Sequence, residues 1–514
     1  MNFIRNLLFR DPVIIPWRKS NAQGFLCLGN KYIHYSELNP QETAVYRLSA
    51  SQKMFFLVLI LLIVTGFVIN WKLTLIILIG ILTIIYFVDL FFNLYLIIKS
   101  FNNPPEINIT KEELAAIDEK LLPKYTIISP MYKENTILPQ FINAMRMLDY
   151  PKDKLQILLI LEEDDEETIR ALKKLSVPSN FEVRTVPQSI PKTKPKALNY
   201  GLLNATGEYV VIYDAEDIPE KDQLKKAVLA FQKSDARVKC IQAKLDYYNP
   251  HQNIITRIFT AEYSMWFDLI LPGIQSIHGP IPLGGTSNHF HRKYLLKLNA
   301  WDAFNVTEDC DLGIRLAKRG YSTAMIQSTT YEEATEDLGR WFWQRTRWIK
   351  GYLQTYLVHM RKPSQFLGGG KKSHLITFQS IVGGRVALMY INPVMWFLTI
   401  CYFILKNQIG SQFGDFFPTP ILYMGLFSLI FGNFLYVYYY MIGCAKHGHH
   451  ELVRYAFLVP FYWLALSIAA WVAFYKLITT PHHWPKTKHG LHLKDKDQVS
   501  QQLVKLIINH ETNQ

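Results

Sequence analysis

The segment EYVVIYDAEDIPE, residues 208–220, joins a short apolar run rich in β-branched and aromatic residues to a group of carboxylates. The segment LQILLILEEDDEET, residues 155–168, is built in the same way. Two further apolar runs, YTIISP (125–130) and FEVRTV (181–186), also favour strands. Segments of helical period separate these runs, as in residues 134–148 and 194–205. Strands that alternate with helices at this spacing predict a parallel sheet covered on both faces.

Ligands of such sheets bind at the carboxyl ends of the strands, which is where both acidic groups lie. One acidic run after a strand is commonly a solvated loop. Here two such runs occur, and the basic segment KTKPKALNYG (192–201) lies between them in sequence. This set indicates carboxylates for a divalent cation and a lysine for a phosphate-bearing ligand.

Two nucleotide-binding motifs are absent from the sequence. Neither G-x-x-x-x-G-K-[ST] nor G-x-G-x-x-G after a strand occurs. Their absence argues against an ATP-driven transporter and against a dehydrogenase.

The composition indicates a membrane protein. Of 514 residues, 49% are hydrophobic and 19% are charged, which is too apolar for an ordinary soluble protein. Five runs are each long enough to cross a hydrocarbon core of about 30 Å, and they are residues 54–71, 73–98, 386–405, 416–444 and 455–475. No cleavable signal peptide is expected before the first run.

The net charge of +13 is spread over segments that flank these runs, so it predicts charge beside a membrane and no nucleic-acid partner. Basic residues outnumber acids before the first run, which predicts a cytoplasmic amino terminus. The five cysteines show no paired spacing and are expected to be reduced. The histidines of KHGHHE (446–451) are expected to form a solvated loop without an acidic partner.

The expected organisation has five parts. They are a cytosolic segment (1–53), two transmembrane helices (54–98), a cytosolic α/β domain with interfacial helices (99–373), three or four transmembrane helices (374–480) and a basic tail (481–514). Residues 375–392 either cross the membrane or lie at its surface. An even number of spans with a cytoplasmic tail is favoured, because the tail is rich in lysine.

A second acidic cluster lies in WDAFNVTEDCDLGIRLAKRGY, residues 301–321. Glu308, Asp309 and Asp311 either favour the amino end of a helix over 309–319 through its dipole or include a general base. Spacing alone does not separate these alternatives. Nearby, WFWQRTRWIKGYLQTYLVHM (341–360) predicts a helix with an aromatic side, in which Trp341 and Tyr356 are expected to pack. Residues 254–274 have a similar interfacial character.

Seven blocks occur in an order that resembles the family 2 membrane glycosyltransferases related to cellulose and hyaluronan synthases. They are PMYKE (130–134), LEEDDEET (161–168), KPKALN (194–199), DAEDIPE (214–220), PLGGTSNHF (282–290), NVTED (305–309) and QRTRW (344–348). The resemblance covers about residues 120–360. It implies a GT-A fold, which is Rossmann-like with a mostly parallel sheet, beside a helical transmembrane domain. It also implies inverting transfer from a nucleoside-diphosphate sugar.

The same resemblance assigns roles to residues. Nucleotide-sugar binding is implied for Pro130, Tyr132, Glu134, Glu163 or Asp164, Lys194 and Asp214. Binding of Mg²⁺ or Mn²⁺ is implied for Asp214 together with either Glu216 or Asp217, because Glu stands at the second acidic place of the motif. Asp309 corresponds to the catalytic base. Contacts to the diphosphate and acceptor are implied for Gln344, Arg347 and Trp348, with Glu308 beside them. Asn288 and His289 either contact the sugar or belong to a plain turn.

The expected function is that of a multi-pass enzyme of the inner (plasma) membrane with a cytoplasmic catalytic domain. It would extend a β-linked polysaccharide processively from a UDP-sugar, among membrane lipids and with an export partner left unidentified. One alternative is transfer of a single sugar to a lipid or protein acceptor. Another is a non-catalytic subunit that binds a nucleotide sugar.

Overall fold

Apolar, β-rich runs of the chain form the central sheet of a computed structural model that describes residues 26–28, 31–33, 41–101, 104–187, 191–368 and 372–484. Most of the amino-terminal segment before residue 41 and the basic tail from residue 485 lie outside the described residues. The strands are β1 (Leu26–Leu28), β2 (Lys31–Ile33), β3 (Tyr125–Met131), β4 (Leu155–Glu162), β5 (Phe181–Val186), β6 (Tyr209–Ile212), β7 (Ile218–Pro219), β8 (Val238–Tyr247), β9 (Asn288–His291) and β10 (Ser322–Glu332).

Eight of these strands form one sheet in the order β5-β4-β3-β6-β9-β8-β10-β7. Strands β3 to β6 pair in parallel, as do β8 and β10. Strand β9 is antiparallel to both of its neighbours, β6 and β8, and β7 is antiparallel to β10. The prediction of an α/β domain with a mostly parallel sheet is confirmed. The sheet is not entirely parallel, because β9 enters between β6 and β8 from the opposite direction.

The helices of the α/β domain follow the expected alternation. They are α2 (Lys111–Ala115), α3 (Leu138–Arg146), α4 (Glu166–Lys173), α5 (Lys194–Asn204), α6 (Gln223–Lys233), α7 (Ile254–Met265), α8 (Leu271–Ser276), α9 (Arg292–Lys297), α10 (Glu308–Lys318) and α11 (Leu338–His359). A π-helical turn over Trp266–Ile270 joins α7 to α8.

The remaining helices are apolar or short. They are α1 (Ala50–Phe101), α12 (Gln365–Gly368), α13 (Lys372–Phe378), α14 (Arg385–Gly414), α15 (Thr419–Phe427), α16 (Asn433–His447) and α17 (Val459–Thr479). In the described part of the chain, four continuous helical segments are long and apolar enough to cross a membrane: Ala50–Phe101, Ser373–Leu405, Thr419–His447 and His450–Thr479. The segment 375–392 belongs to one continuous helical run with α14.

Helix α1 reverses direction at Asn70, whose φ and ψ are −154° and 91°. A Cβ on Gly66 would lie 2.8 Å from Thr74 Oγ1, although eight residues of straight helix span about 12 Å. Near its amino end, Gln52 Nε2 donates to the Leu357 carbonyl at 2.7 Å. At its other end, the Leu96 carbonyl lies against Gly273. Both ends therefore contact the α/β domain, and α1 is a helical hairpin.

Helix α17 also contacts the α/β domain at both ends. Near its start, Tyr462 OH accepts from Arg345 Nη2 at 2.8 Å. At its end, the Thr480 carbonyl accepts from Lys350 Nζ at 3.2 Å. Because Arg345 and Lys350 both belong to α11, the two helices run side by side. The apolar side chains that α17 exposes lie on one face, and they are Phe461, Leu464, Ile468, Trp471 and Tyr475.

The two faces of the sheet bury different sets of alternating residues. Ile127 packs in one core with helices α3 and α6. Ile128, its neighbour, packs in a second core that continues through α5 and α7 to Tyr439 in α16. The sheet is therefore joined to the apolar helices by one uninterrupted core.

Candidate active site

A cavity of about 310 Å³ lies at the carboxyl ends of β3, β4 and β6. This is the edge at which ligands of α/β sheets bind. Ten of the residues that the sequence motifs implied line it, and they are Pro130, Tyr132, Lys194, Asp214, Glu216, Glu308, Asp309, Gln344, Arg347 and Trp348. The cavity also reaches Arg385, Met389 and Leu466 of the apolar helices.

One end of the cavity combines an aromatic ring with a cation. Lys192 Nζ lies 3.8 Å from the centroid of the Tyr132 ring and donates to Asp164 Oδ1 at 2.6 Å. The hydrogen bond from Lys192, together with its charge, lowers the pKa of Asp164 from its ordinary value. Asp164 does not line the cavity itself but holds Lys192, which does. Lys192 was not singled out from the sequence, although it begins the basic segment.

Lys194 connects three parts of the chain. Its Nζ donates to Asp214 Oδ2 at 2.6 Å and to the Gly285 carbonyl at 2.8 Å. Burial alone would lower the pKa of the Lys194 ammonium, but the charges of Asp214, Glu308 and Asp309 raise it above the ordinary value. Lys194 is therefore a fixed positive charge beside the carboxylates of the cavity.

Three carboxylates line the same region, and they are Asp214, Glu216 and Glu332. Burial, followed by the charges of Glu216 and Asp214, raises the pKa of Glu332 well above its ordinary value. Carboxylate oxygens suit a hard divalent cation, which would relieve the repulsion, although the ligand atoms of these three described residues do not all lie within 4.8 Å of one another. Glu332 ends β10, and it was not singled out from the sequence, because nothing in the local pattern shows that this strand ends at the cavity.

Asp217 occupies a different position from the one expected. It is 1% exposed and does not line the cavity. Its Oδ2 accepts from the Asp214 backbone N–H at 2.6 Å and from the Thr286 hydroxyl. The prediction that Asp217 binds the metal is therefore revised, and Asp217 instead fixes the backbone that carries Asp214.

Three other implied residues lie away from the cavity wall. Glu134 is buried, and its backbone N–H donates to Thr168 Oγ1 at 3.1 Å. Glu163 is exposed, whereas its neighbour Glu162 lines the cavity and binds Lys196. Asn288 is buried in β9, and its Nδ2 donates to the Gly284 carbonyl at 2.6 Å. The prediction that these three residues contact the ligand directly is therefore corrected, because they occupy supporting positions.

Glu308 and Asp309 both line the cavity, at the first turn of α10. Burial, followed by the charge of Asp309, raises the pKa of Glu308 to about 8. Burial also raises the pKa of Asp309, although the Cys310 N–H, which donates to Asp309 Oδ1 at 2.7 Å, opposes this. Asp311 faces away and binds Arg315 Nε at 2.7 Å. The cluster thus separates into two carboxylates at the cavity and one in a buried ion pair.

Helix α11 provides the wall opposite the acids. Arg347 lies 4.5 Å from the centroid of the Trp484 ring, which also lines the cavity. Three buried polar atoms of residues that line the cavity have no hydrogen-bond partner among the described residues, and they are Glu308 Oε2, Gln344 Oε1 and Arg347 Nε. Buried polar atoms without partners are costly and indicate a missing ligand or water.

Neighbouring residues of α11 pack as expected or form structural pairs. Trp341 is fully buried, and its Nε1 donates to Tyr462 OH at 3.2 Å, so its predicted packing role is confirmed. Tyr356 stacks on Phe378. Arg345 forms a buried ion pair with Glu262, which also binds Arg385 at 3.3 Å. The resemblance assigned Arg347 alone, and the structure brings both Arg345 and Arg347 to the cavity.

A second, smaller cavity of about 90 Å³ lies among the apolar helices. It shares Glu262, Arg385, Met389 and Leu466 with the first cavity. Its other polar lining groups include Asp89, Asn93 and Tyr436. Asp89 and Arg385 therefore both line this second cavity.

Residues 123–351 match the family described as "Glycosyltransferase like family 2". The chain is 29% identical over 235 residues to the "Probable glycosyltransferase YdaM" of Bacillus subtilis, covering 45% of this chain and 56% of that protein. It is 26% identical over 254 residues to "Cellulose synthase 2" of Novacetimonas hansenii, covering 48% and 15%. It is 25% identical over 262 residues to the "Beta-monoglucosyldiacylglycerol synthase" of Synechocystis, covering 50% and 53%. The matched regions thus span about half or less of these relatives.

One solved structure aligned with the chain is the mannosyltransferase PcManGT from Pyrobaculum calidifontis, in complex with GDP-Man and Mn²⁺. The alignment covers 77% of this chain and 98% of that one, with a TM-score of 0.49 and 17% identity.

Proposed function

We propose that this chain, a glycosyltransferase whose family 2 GT-A domain spans residues 123–351, transfers a sugar from a UDP-sugar to a growing β-linked glycan with inversion at the anomeric carbon. The observation that carries the proposal is the single cavity that joins Lys194 and Asp214 to Asp309, Gln344 and Arg347. Cations, acids and an aromatic wall meet there in the arrangement that sugar transfer requires.

The donor would bind where the sheet edge is most polar. Tyr132 offers a ring for the base, with Lys192 above it. Lys194 and Arg347 are positive groups on the same cavity, and both would stabilise the negative charge that develops on the leaving diphosphate. The Nε–H of Arg347 is buried without a hydrogen-bond partner among the described residues. Because such a group is unfavourable, we expect it to donate to the diphosphate.

A divalent cation, Mg²⁺ or Mn²⁺, would be held by Asp214, Glu216 and Glu332. When bound, it would neutralise charge on the diphosphate as a Lewis acid. Burial and the charges of Glu216 and Asp214 raise the pKa of Glu332, and a bound cation would offset both effects.

Asp309 would remove the proton from the attacking acceptor hydroxyl. Of the two carboxylates at the start of α10, Glu308 has its pKa raised to about 8 and holds its proton at neutral pH. Asp309 is the half-exposed member of the pair, beside Gly285. A Cβ on Gly285 would lie 3.4 Å from Asp309 Oδ2 and 3.8 Å from Lys194 Nζ. The missing side chain leaves room for a reacting group between base and cation.

The acceptor would enter from the side of the apolar helices. The first cavity continues past Trp348 to Arg385, and the second cavity begins at the same residues. Polar and aromatic groups such as Asp89, Asn93 and Trp463 line this second space. Such a lining suits a hydroxylated chain better than an acyl chain, and it supports stepwise extension of a glycan.

The second candidate function is transfer of one sugar to a lipid. The cavity wall near the membrane includes Val386, Met389 and Leu466, which would accommodate an acyl chain. The matched Synechocystis protein carries the name of a glucosyldiacylglycerol synthase.

We also propose a multi-pass orientation in the inner (plasma) membrane. Helix α1 would cross twice, the run from α13 to α14 once, and α15 with α16 once. Lys72 at the tip of α1 binds Asp415 at 2.8 Å, which places both turns at the end remote from the α/β domain. Helix α17 would lie along the membrane surface with α11. The domain and both termini would then be cytoplasmic, in agreement with the even number of spans favoured by the sequence.

The test is release of UDP by the full chain in detergent, supplied with Mn²⁺ and a panel of UDP-sugars. Asp309→Asn is expected to lower transfer about 10²- to 10⁴-fold while thermal unfolding is unchanged. Asp311→Asn is not a suitable control because Asp311 is a buried ion-pair partner, so Asp337→Asn, on the exposed start of α11, is used. Full turnover by Asp309→Asn would remove Asp309 from the reaction.

Product size separates the candidates. A ladder of products supports glycan extension, and a single glycosylated lipid supports the second candidate. Measurable nucleotide binding with no transfer to any acceptor would favour a non-catalytic subunit, which the complete set of cavity acids argues against.

A further inference from the structure

Four ionisable side chains meet where the sheet contacts the apolar helices, outside the catalytic cavity. Asp246 lies near the end of β8, and Asp268 lies in the π-helical turn after α7. His447 ends α16, and His449 follows it. From the sequence, these histidines were expected in a solvated loop without acidic partners. That expectation was wrong, because folding brings them against two buried carboxylates.

The two imidazoles converge on one carboxylate oxygen. Asp246 Oδ2 lies 3.0 Å from His447 Nε2 and 2.9 Å from His449 Nε2. Within the described residues, these three side chains form the one group whose ligand atoms all lie within 4.8 Å of one another. Ligands of a tetrahedral ion with bonds of about 2.0–2.1 Å are separated by about 3.3 Å. The observed separations need to change by only a few tenths of an ångström.

A second observation also points to a ligand. Asp246 is 2% exposed, and its Oδ1 has no hydrogen-bond partner among the residues that the structure describes. Ion pairing with two imidazoles through Oδ2 leaves this second oxygen buried and unused. A buried carboxylate oxygen without a partner is costly unless something binds it.

We propose that Asp246, His447 and His449 bind a Zn²⁺ ion, with water or Glu451 as the fourth ligand. Two imidazole nitrogens and one carboxylate are a common ligand set for zinc. Mg²⁺ and Mn²⁺ favour oxygen ligands, so this ion is chemically distinct from the one proposed for the catalytic acids.

Asp268 orients one of the two histidines of the site. Its Oδ2 lies 2.6 Å from His447 Nδ1, so the Asp268 carboxylate accepts a hydrogen bond from the Nδ1–H of that ring. The Nε2 of His447 then has its lone pair available for the metal. Asp268 Oδ1 binds Lys244 at 2.6 Å, and Lys244 also binds Glu106 at 2.6 Å. This arrangement fixes the ring of His447 by a chain of buried charges.

The ion would fasten the catalytic sheet to the apolar helices. Asp246 pairs in register with Tyr331, directly before the cavity acid Glu332. The histidines belong to the junction of α16 and the helical turn His450–Leu458. The site is therefore structural, and it holds the end of β8 and β10 in place against the membrane helices.

The test uses the full chain, purified in detergent without a histidine tag, stripped with a chelator and resupplied with Zn²⁺. About one Zn²⁺ per chain is expected to remain after gel filtration, and Zn²⁺ is expected to raise the thermal unfolding midpoint. Co²⁺ in its place is expected to produce visible absorption bands. His449→Ala and the isosteric Asp246→Asn are expected to lose all three signals. Asp268→Asn is expected to weaken binding about 10- to 100-fold.

The matched control is His450→Ala, which removes an exposed histidine from the same turn and should bind Zn²⁺ as the parent does. Asp214→Asn should also retain Zn²⁺, because the catalytic acids are a separate site. The proposal is overturned if the parent retains no Zn²⁺ and gives no Co²⁺ bands. It is equally overturned if His449→Ala and Asp246→Asn bind as the parent does, or if Asp214→Asn loses the ion.

Discussion

Lys194 Nζ lies 2.6 Å from Asp214 Oδ2, and this ion pair joins the start of α5 to the carboxyl end of β6. The same ammonium donates to the Gly285 carbonyl. Both side chains are largely buried, with exposed fractions of 14% for Lys194 and 27% for Asp214. The pair therefore sets both the charge and the shape of the catalytic cavity.

Replacement of Lys194 is expected to affect turnover more than folding. Lys194→Met removes the cation that would face the leaving diphosphate, and kcat should fall about 10²- to 10³-fold, as for loss of one preorganised donor. Lys225→Met is the control, because Lys225 also pairs with acids, Glu119 and Asp149, but far from the cavity. Kinetics with a saturating donor measure the effect. Equal losses in both variants would show that the Lys194 effect is structural.

Glu332 is expected to control metal dependence. If it holds the cation with Asp214 and Glu216, Glu332→Gln should raise the Mn²⁺ concentration for half-maximal activity about 10- to 100-fold. Activity at saturating Mn²⁺ should recover in large part. Glu333→Gln provides the control, since Glu333 does not line the cavity. A Mn²⁺ titration that is the same for Glu332→Gln and the parent would exclude Glu332 from the metal site.

Glu308 is expected to act in its protonated form. With a pKa raised to about 8, it is mostly neutral at pH 7, so Glu308→Gln should retain activity within about tenfold there. Above pH 8 the parent acquires a second negative charge beside Asp309 and should lose activity that Glu308→Gln keeps. Rate profiles from pH 6 to pH 9 provide the measurement. Complete inactivity of Glu308→Gln at pH 7 would mean that Glu308 works as a carboxylate.

The raised pKa of Glu308 also makes the free energy of unfolding depend on pH. Between the ordinary value of 4.5 and about 8, folded Glu308 holds a proton that the unfolded chain releases. Its contribution to the free energy of unfolding is therefore fully present below pH 4.5 and is lost as the pH rises through 8. Thermal unfolding of Glu308→Gln should depend less on pH over this window than unfolding of the parent.

Trp484 is expected to hold Arg347 in position. The Arg347 guanidinium lies 4.5 Å from the centroid of the Trp484 ring, which makes the contact a cation–π pair. Such a pair contributes about 0.5–2 kcal/mol. Its loss in Trp484→Ala should therefore raise the donor KM about two- to thirtyfold. The control is Trp343→Ala, because Trp343 lies on α11 but is 49% exposed. An unchanged KM in Trp484→Ala would indicate that Arg347 needs no support from the ring.

The sequence by itself determined the four strands β3 to β6 and the presence of acids at their ends. Each of these strands is a short apolar run, and parallel strands bring their carboxyl ends to one edge. Lys194 and Asp214 were both assigned to nucleotide-sugar binding by the family resemblance and not by the strand pattern. The start of α10 was predicted within one residue, because its acids favour a helix amino terminus.

Only the tertiary structure decided which acids face the cavity. Asp217 and Glu216 are neighbours, yet one fixes the backbone and the other lines the cavity, since successive side chains point in different directions. Glu332 joins them through β10, which pairs with β8 across about eighty residues of sequence. Such pairing depends on long-range packing that local periodicity does not encode.

The tertiary structure also decided the surroundings of His447 and His449, and the course of α17. Hydropathy alone gave α17 the length and composition of a membrane span. Its contacts with Arg345 and Lys350 at opposite ends instead align it with α11. The physical reason is that apolar length measures only the ability to enter lipid, whereas direction is set by the buried polar groups that a helix must satisfy at each end.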